Sequence, residues 1–482
     1  MVLKKILLTL SLSLTAVIAV AEDEFGSDQT PRFEVPEIGR GIGFIDQQKE
    51  KMIGEKVYRQ VNQQFPLIND PWLQDQFMAV FSRILSNTQL GRPIGLVIIK
   101  DAQINAFAVP GGLFALNSGL ITSSRNLDEV AGVMAHEIAH VSQRHYSRSQ
   151  EAFKGQGLLA LAGIIVGAAI AAKSDGQAGG AVMLGTQAAL LDRQLNYSRN
   201  QEREADRIGM QFMYGSGFNP QSMADFFETM NRETTKVSYL PDFWLTHPLT
   251  SERMSEARLR ANQFPKVKYN NDQQNFEVIK WYTAVLSQQT NESQLKAIAR
   301  DKNFAGLLAL SQFYLRQGDY SLAQEQLNLA KAINPFHSLL ILTQTDIYIG
   351  QHKYDDALKL ILSKQRVTPE NRALGYKLAE VYIRKNQPKD AEAIVNKFIK
   401  ANGRDVIGWQ LLQQAANIDQ DNPMRTINVL RYRAEAQYWN GAEENAIKSL
   451  LHAQRLAKGN VSMISQIDAR LKVMQSERQM KI

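Results

Sequence analysis

The chain of 482 residues contains no cysteine, so it can form neither a disulfide bond nor a lipid attachment through a cysteine side chain. A chain of this size is then held together by packing and by any metal ion that it binds. Histidine is also scarce: there are seven, and three of them lie in the stretch VMAHEIAHVSQRHYS at 133–147. Such a concentration in a histidine-poor chain points to chemistry at this place.

Apolar runs long enough to span a bilayer, about 20 residues, are missing as well. The N-terminal run from Ile6 to Val20 is about 15 residues long, follows Lys4 and Lys5, and ends in small residues before Glu22. This layout is typical of a secretory signal peptide, here residues 1–21, and it predicts that the protein is exported and that this segment is cleaved off. An uncleaved membrane anchor is the alternative interpretation.

Dense basic runs are absent too, although the formal net charge is +7, or +5 once Lys4 and Lys5 leave with the signal peptide. Without such a run the sequence does not predict nucleic-acid binding. The charge is that of an ordinary solvated surface, and a mild attraction to anionic membrane surfaces is the open alternative.

The next part of the chain changes its pattern several times. Residues 22–45 are rich in glycine, proline and charge and predict an extended arm, and helical spacing begins at Asp46. The β-type segments GLVIIK and FAVPGGLFALN follow, the second with a turn at 110–112. A helix is expected from Leu127, with Asn126 as its N-cap and Glu129 as the return half of a capping box.

Residues 156–191 form a pair of Ala/Gly-rich apolar stretches separated by a polar break. Each stretch is too short and too interrupted to predict a transmembrane helix. One interpretation is a helical hairpin packed on the protein's own core. The other is a lid, or a surface that faces a membrane or a partner, because the segment has little charge and many glycines.

A repeat with a period of 34 residues begins near residue 305. It is visible as three columns of identical residues: Tyr314, Tyr348 and Tyr382; Ala323, Ala357 and Ala391; and Pro335 with Pro369. This period with these residue types is the tetratricopeptide pattern, in which paired antiparallel helices stack into a solenoid. The pattern restarts around Ala446 after an insertion of 21 residues.

The histidine-rich stretch contains H-E-x-x-H, formed by His136, Glu137 and His140. On a helix the two histidines share one face and can bind one Zn²⁺, while Glu137 can reach a zinc-bound water as general base. Chance histidines on a surface helix are the alternative, but the surrounding VAGVMA is apolar and predicts a buried helix. Buried polar groups need partners, and a metal supplies them.

A catalytic zinc site needs a third protein ligand, and YSRNQEREADRIGMQFM at 197–213 offers one. Glu202 and Asp206 are four residues apart and share a helix face. We expect Glu202 to bind zinc and Asp206 to accept a hydrogen bond from the outer nitrogen of a ligand histidine. Glu204 is predicted to be a solvated charge, and His145 is predicted to lie on the surface.

His247 precedes a proline in a predicted loop before a helix. It could act as a capping or packing residue. Alternatively it could face the zinc across a cleft, either as an oxyanion donor or as a fourth ligand that closes the site. Arg253 on the following helix could contribute to the same cleft.

The motifs NAFAVPGGLFALNSGLI, HEIAH, EREADRIG and THPLTSER, in this order, resemble the zinc endopeptidases related to HtpX and to the CAAX-prenyl endopeptidases. The resemblance implies one zinc ion per chain, bound by His136, His140 and Glu202, with Glu137 as base and Asp206 as the supporting aspartate. It implies a mainly α fold: a zincin-like α+β metalloprotease domain with a small sheet at 46–265, a helical linker at 266–304, and an α-solenoid of tetratricopeptide repeats at 305–482.

The resemblance to an exported member of this family with such repeats also implies a periplasmic location and a partner class. It would act on unfolded or partly assembled outer-membrane barrel proteins and contact the barrel assembly machinery through its repeats. The strand at Asn105, Ala106, Phe107 and Ala108 could pair with an extended substrate. The rival hypotheses are a chaperone or scaffold whose proteolytic site is held closed, and a peptidase of cell-wall peptides, which the large repeat surface disfavours.

Overall fold

The computed structural model describes residues 47–91, 93–145, 199–234, 247–267 and 273–479, which belong to one compact unit. The predicted signal peptide, the arm at 22–45 and the Ala/Gly-rich segment at 156–191 lie outside these ranges. The described chain is mainly helical with a small three-stranded sheet and a long run of helices after it, which confirms the predicted fold class. None of the described helices is long and apolar enough to cross a membrane.

The N-terminal half of the described chain combines helices with the sheet. Its elements are α1 (Gln47–Gln64), α2 (Pro71–Leu85), β1 (Gly95–Ile99), β2 (Ala106–Val109), β3 (Leu113–Asn117), α3 (Ser118–Ser123), α4 (Leu127–Ser142), α5 (Arg199–Gly215), α6 (Gln221–Thr234) and α7 (Ser251–Ala261).

The sheet has the strand order β1-β3-β2, with β1 parallel and β2 antiparallel to β3. Helix α1 packs on one face through a cluster that includes Val57 and Val109. Helices α2 and α4 also contact the sheet, and α4 lies beside β2. In the β2–β3 turn, Gly111 has a φ of +87°, and a Cβ there would lie 2.3 Å from the carbonyl oxygen of Glu50. Glycine therefore allows α1 to approach the turn closely.

Helix α4 begins at Leu127, as the sequence predicts. The Asn126 side chain accepts a hydrogen bond from the Glu129 backbone N–H at 2.9 Å, which is the expected N-cap. The return half of the capping box differs from the prediction, because the Glu129 carboxylate accepts from the N–H of Arg125, at 2.7 Å, one residue earlier. The same carboxylate accepts a hydrogen bond from the Arg125 guanidinium at 2.7 Å, so Glu129 binds both the backbone and the side chain of Arg125.

The C-terminal half is helical. Its elements are α8 (Gln273–Ser287), α9 (Glu292–Ala299), α10 (Phe304–Gln317), α11 (Tyr320–Ile333), α12 (Ser338–Gly350), α13 (Tyr354–Gln365), α14 (Arg372–Arg384), α15 (Pro388–Ala401), α16 (Val406–Ile418), α17 (Arg425–Trp439), α18 (Glu443–Leu456) and α19 (Val461–Gln479).

From α9 onward, consecutive helices of this half pack against each other, as a solenoid requires, and α8 packs on α10. Ala323, Ala357 and Ala391, the small residues of the predicted repeat, are all 0% exposed. Their small side chains allow close approach of neighbouring helices. Helix α16 lies in the interval where 21 extra residues interrupt the period. The helical repeat region is thus confirmed, while its assignment to tetratricopeptide repeats and the domain boundaries stay predictions.

Ion pairs join the repeat helices to helices α1 and α2. Arg372 on α14 lies 3.1 Å from Asp75 on α2, and Arg404 lies 2.7 Å from Glu55 on α1. Arg59 on α1 is only 2% exposed and contacts two glutamates of α18 and α19. The N-terminal and C-terminal halves therefore share a polar interface.

Candidate metal centre

Helix α4 carries the H-E-x-x-H residues into the interior of the protein. Every residue from Glu129 to His140 is buried, and His136, Glu137 and His140 are 1%, 4% and 3% exposed. Because four residues make slightly more than one helical turn, the two histidines lie on the same face. Their Nε2 atoms are 3.0 Å apart.

Helix α5 packs against α4 and supplies the carboxylates. The close approach depends on Gly209, where a Cβ would lie 3.1 Å from the His136 backbone nitrogen and 3.2 Å from the Ala135 carbonyl carbon. This spacing brings Glu202 to 3.4 Å from His136 Nε2 and to 3.3 Å from His140 Nε2. A glycine in the middle of α5 therefore positions the third candidate ligand.

The donor atoms of four buried side chains, His136, His140, Glu202 and His247, lie within 4.8 Å of one another. Zinc bonds of ~2.0–2.1 Å in a tetrahedral site place neighbouring ligand atoms about 3.3 Å apart. The two histidine Nε2 atoms are 3.0 Å apart, with Glu202 Oε2 3.4 Å from that of His136 and Oε1 3.3 Å from that of His140, so the carboxylate faces the space between the two rings at a spacing close to that value. Imidazole nitrogens with a carboxylate oxygen are also a donor set that zinc accepts.

His247 lies inside this cluster and is 2% exposed. Its Nδ1 is 3.1 Å from Glu202 Oε1 and 3.4 Å from His136 Nε2, and its Nε2 is 3.3 Å from Glu137 Oε1. It does not cap the following helix, because Thr250 accepts the hydrogen bond from the backbone N–H of Arg253. The capping interpretation of His247 is therefore wrong.

Arg253 and Asp206 form a bidentate ion pair behind the cluster. Arg253 donates from Nε and Nη2 to the two Asp206 oxygens, at 2.6 and 2.8 Å, and its Nη1 lies 2.7 Å from Glu202 Oε2. Asp206 Oδ1 lies 2.9 Å from His136 Nδ1. Burial alone would raise the pKa of Asp206 and of Glu202, but the positive charge of Arg253 together with the neighbouring histidines holds both pKa values below the ordinary range.

The two helix histidines differ in charge preference. Burial alone would lower the pKa of His136, but hydrogen bonds to Asp206 and Glu202 raise it to about 9. Burial dominates at His140 and, with repulsion from His136 and His247, lowers its pKa well below the ordinary value. Metal binding at Nε2 requires an unprotonated ring nitrogen, so the raised pKa of His136 opposes metal binding at low pH.

Glu137 adjoins the cluster without being one of its four donors. Burial raises its pKa, which the positive charges of His247 and His136 partly offset. Its carboxylate also accepts a hydrogen bond from the backbone N–H of Ala108 in β2. This contact ties the carboxylate to the strand that lies beside α4. Asn105, Ala106, Phe107 and Ala108 are all buried, and β2 is an edge strand among the described residues.

The predictions for His145 and Glu204 are wrong. His145 is 0% exposed, and its Nδ1 lies 2.9 Å from Nδ1 of His140. Its Nε2 lies 3.1 Å from Oε2 of Glu204, whose side chain is only 17% exposed. Helical geometry misplaced His145 because α4 ends at Ser142, and Arg144 has a φ of +51° that turns the chain back. In the sequence, the apolar pattern of this helix stops at Ser142, and that stop indicates that the helix ends before His145.

Comparisons with known proteins agree with this geometry. Residues 69–261 match the model of peptidase family M48. The Beta-barrel assembly-enhancing protease of Escherichia coli K12 is 31% identical over 450 residues, covering 91% of this chain and 90% of that protein. The protein of the same name from Yersinia pestis is 31% identical over 452 residues, with the same coverage. The Mitochondrial metalloendopeptidase OMA1 of Schizosaccharomyces pombe is 31% identical over 159 residues, 33% of this chain and 44% of that one.

Proposed function

This chain belongs to peptidase family M48 and is a metalloendopeptidase, and we propose that it is a periplasmic zinc enzyme that cleaves outer-membrane β-barrel proteins when they are unfolded or misassembled. The observation that carries the proposal is the convergence of His136, His140 and Glu202 in a buried site beside Glu137. Substrate and compartment rest on the predicted signal peptide and on similarity to relatives named for β-barrel assembly.

In the proposed mechanism, His136, His140 and Glu202 hold one zinc ion per chain. Zinc, when bound, supplies Lewis-acid chemistry that acidifies water and polarises the scissile carbonyl. Glu137 takes the proton of the attacking water and delivers it to the leaving amine. The Ala108 N–H contacts the Glu137 carboxylate and helps to hold it beside the metal ligands.

Supporting groups orient the ligands. Asp206 fixes the tautomer of His136 by accepting from Nδ1, so that Nε2 presents its lone pair to the metal. Arg253 neutralises Asp206 and part of Glu202 and contacts the backbone carbonyls of His247 and Pro248. It therefore also anchors the loop that carries His247.

Substrate binding is assigned to β2. An extended chain that pairs with this edge strand gains backbone hydrogen bonds with little demand on its sequence. Residues 105–108 lie beside the catalytic helix, and unfolded chains or unpaired barrel strands offer a matching edge. The repeat region is proposed to dock these clients or the barrel assembly machinery.

His247 is proposed to act as a fourth zinc ligand that closes the resting site. The position of its Nδ1 among the other donor atoms supports this role over that of an oxyanion donor. The same observation favours a second candidate function, a chaperone or scaffold that holds barrel intermediates while its proteolytic site is closed. Peripheral contact with a membrane surface is supported only by the positive net charge, which is +5 once Lys4 and Lys5 leave with the signal peptide.

The deciding experiment compares the wild type with Glu137→Gln on an unfolded outer-membrane barrel protein, after zinc binding by both is confirmed. We expect Glu137→Gln to lower the cleavage rate by about 10²–10⁴-fold. The matched control is Glu325→Gln, an exposed glutamate of α11, which should cut at the wild-type rate.

Equal cleavage by Glu137→Gln would refute the role of Glu137 as base. If neither protein cuts but both delay aggregation of the barrel protein, the chaperone function replaces the enzyme as the main one. His247→Ala then tests the closed site, because removal of the fourth ligand should release cleavage by the chain that carries Glu137.

A further inference from the structure

We propose that His145 and Glu204 form a hydrogen-bonded chain that positions His140 for metal binding. The chain runs from His140 Nδ1 to His145 Nδ1, at 2.9 Å, and from His145 Nε2 to Glu204 Oε2, at 3.1 Å. The inference rests on the proposed zinc site, and it adds two positioning residues that do not touch the metal or the substrate.

The direction of these hydrogen bonds follows from the ligand role of His140. Its Nε2 faces the cluster, 3.0 Å from His136 Nε2, and must offer a lone pair to a metal ion. The proton of the neutral ring is then on Nδ1, which donates to Nδ1 of His145. His145 in turn carries its proton on Nε2 and donates it to the Glu204 carboxylate. The chain thus selects the metal-binding tautomer of His140.

The backbone is arranged to hold His145 in this place. A continued helix would rotate residue 145 about 140° away from His140. Instead α4 ends at Ser142, and the left-handed conformation of Arg144, with φ +51°, folds the chain back. The side chain of Gln201 on α5 donates to the carbonyl oxygen of His145 at 3.2 Å. The ring of His145 is 0% exposed.

The two ligand histidines are therefore supported in different ways. His136 contacts a carboxylate directly, with Asp206 Oδ1 at 2.9 Å from its Nδ1. On the Nδ1 side, His140 contacts the ring of His145, which in turn contacts the Glu204 carboxylate. Loss of such an outer partner costs about 10- to 100-fold in metal affinity, because the ligand ring loses its preferred tautomer and orientation.

The test measures the dissociation constant of Zn²⁺ for the full chain by competition with a chromophoric chelator. Asn Oδ1 and His Nδ1 are the same number of bonds from Cα, so His145→Asn keeps an acceptor for His140. His145→Leu fills similar space without one. We expect His145→Leu to weaken zinc binding about 10- to 100-fold and His145→Asn to bind zinc within about threefold of the wild-type affinity. His352→Leu, at an exposed histidine of the repeat region, is the control and should change nothing.

A second comparison isolates Glu204. Glu204→Gln replaces a charge-assisted hydrogen bond by a neutral one and should weaken zinc binding about three- to fivefold. In the His145→Asn background, where the chain no longer reaches residue 204, the same substitution should have no effect. This cycle keeps the proposal testable even if the leucine variant fails to fold.

The possible outcomes separate the two proposals. Failure of the wild type to bind zinc would overturn the proposed function, and this inference with it. Normal binding by the wild type and by His145→Leu would overturn only the positioning role. Equal weakening of zinc binding by His145→Asn and His145→Leu would also overturn only the positioning role, because packing and not hydrogen bonding would then explain the loss.

Discussion

Arg253 provides the sharpest test of the electrostatics at the metal centre. Its guanidinium is 4% exposed and contacts Asp206 at 2.6 and 2.8 Å and Glu202 at 2.7 Å. The substitution Arg253→Ala removes the guanidinium from both buried carboxylates, which keep their contacts with His136. Breaking a buried ion pair from one side costs about 3–5 kcal/mol, since the remaining charge loses its partner and does not regain water.

The same two helices carry a matched control. Arg203 on α5 pairs with Glu252 on α7 at 2.6 Å, but these side chains are 37% and 67% exposed. Pairs of that kind contribute about 0.2–1 kcal/mol, so Arg203→Ala should have a small effect. Arg253→Lys should fall between the two, because lysine keeps the charge but cannot make the bidentate contact.

Hydrogen–deuterium exchange of the α5 amides, measured with chelator present, gives the opening free energy of this region without a contribution from bound metal. We expect Arg253→Ala to lower that free energy by about 3–5 kcal/mol. A loss below about 1 kcal/mol, or one no larger than that of Arg203→Ala, would refute the reasoning, because burial would then not distinguish the two ion pairs.

Three further predictions concern other parts of the chain. Burial raises the pKa of Asp128 to about 6, so the folded state holds this proton more tightly than the unfolded state and loses stability as the pH rises from about 4 to about 6. In urea unfolding, the free energy of unfolding of Asp128→Asn relative to the wild type should therefore rise by about 1 kcal/mol between pH 4 and pH 7.5, a value discounted for the partial exposure of Asp128. The same difference at both pH values would contradict this. Arg59→Ala should lower the free energy of unfolding by about 3–5 kcal/mol, because Arg59 is buried, lies 2.7 Å from Glu443 and stacks on the Tyr438 ring at 4.4 Å. A loss under about 1 kcal/mol would show that this buried ion pair does not stabilise the fold. Gly209→Ala should push α5 from α4 and weaken zinc binding about tenfold, whereas Gly91→Ala, where a Cβ meets nothing within 4 Å, should not; equal affinities would show that the helices adjust freely.

Features that depend on short spacing could be predicted from the sequence. The i, i+4 relation of His136 and His140 needs only helical geometry and an apolar context, and the structure has both. The start of α4 at Leu127 and its Asn126 cap are local in the same sense. The helical repeat region also follows from a pattern within the chain, because each repeat packs mainly against its neighbours.

Only the tertiary structure decided which side chains from distant segments contact each other. Nothing in the spacing shows that His247 shares a cluster with Glu202, 45 residues away, while Thr250 takes the capping role. The environments of His145 and Glu204 were predicted wrongly, since both depend on a backbone turn at Arg144 and on the packing of α5. The sequence thus determined which residues could bind a metal, because backbone periodicity is local. Only packing decided which side chains support them, because burial and hydrogen bonds form between elements far apart in the chain.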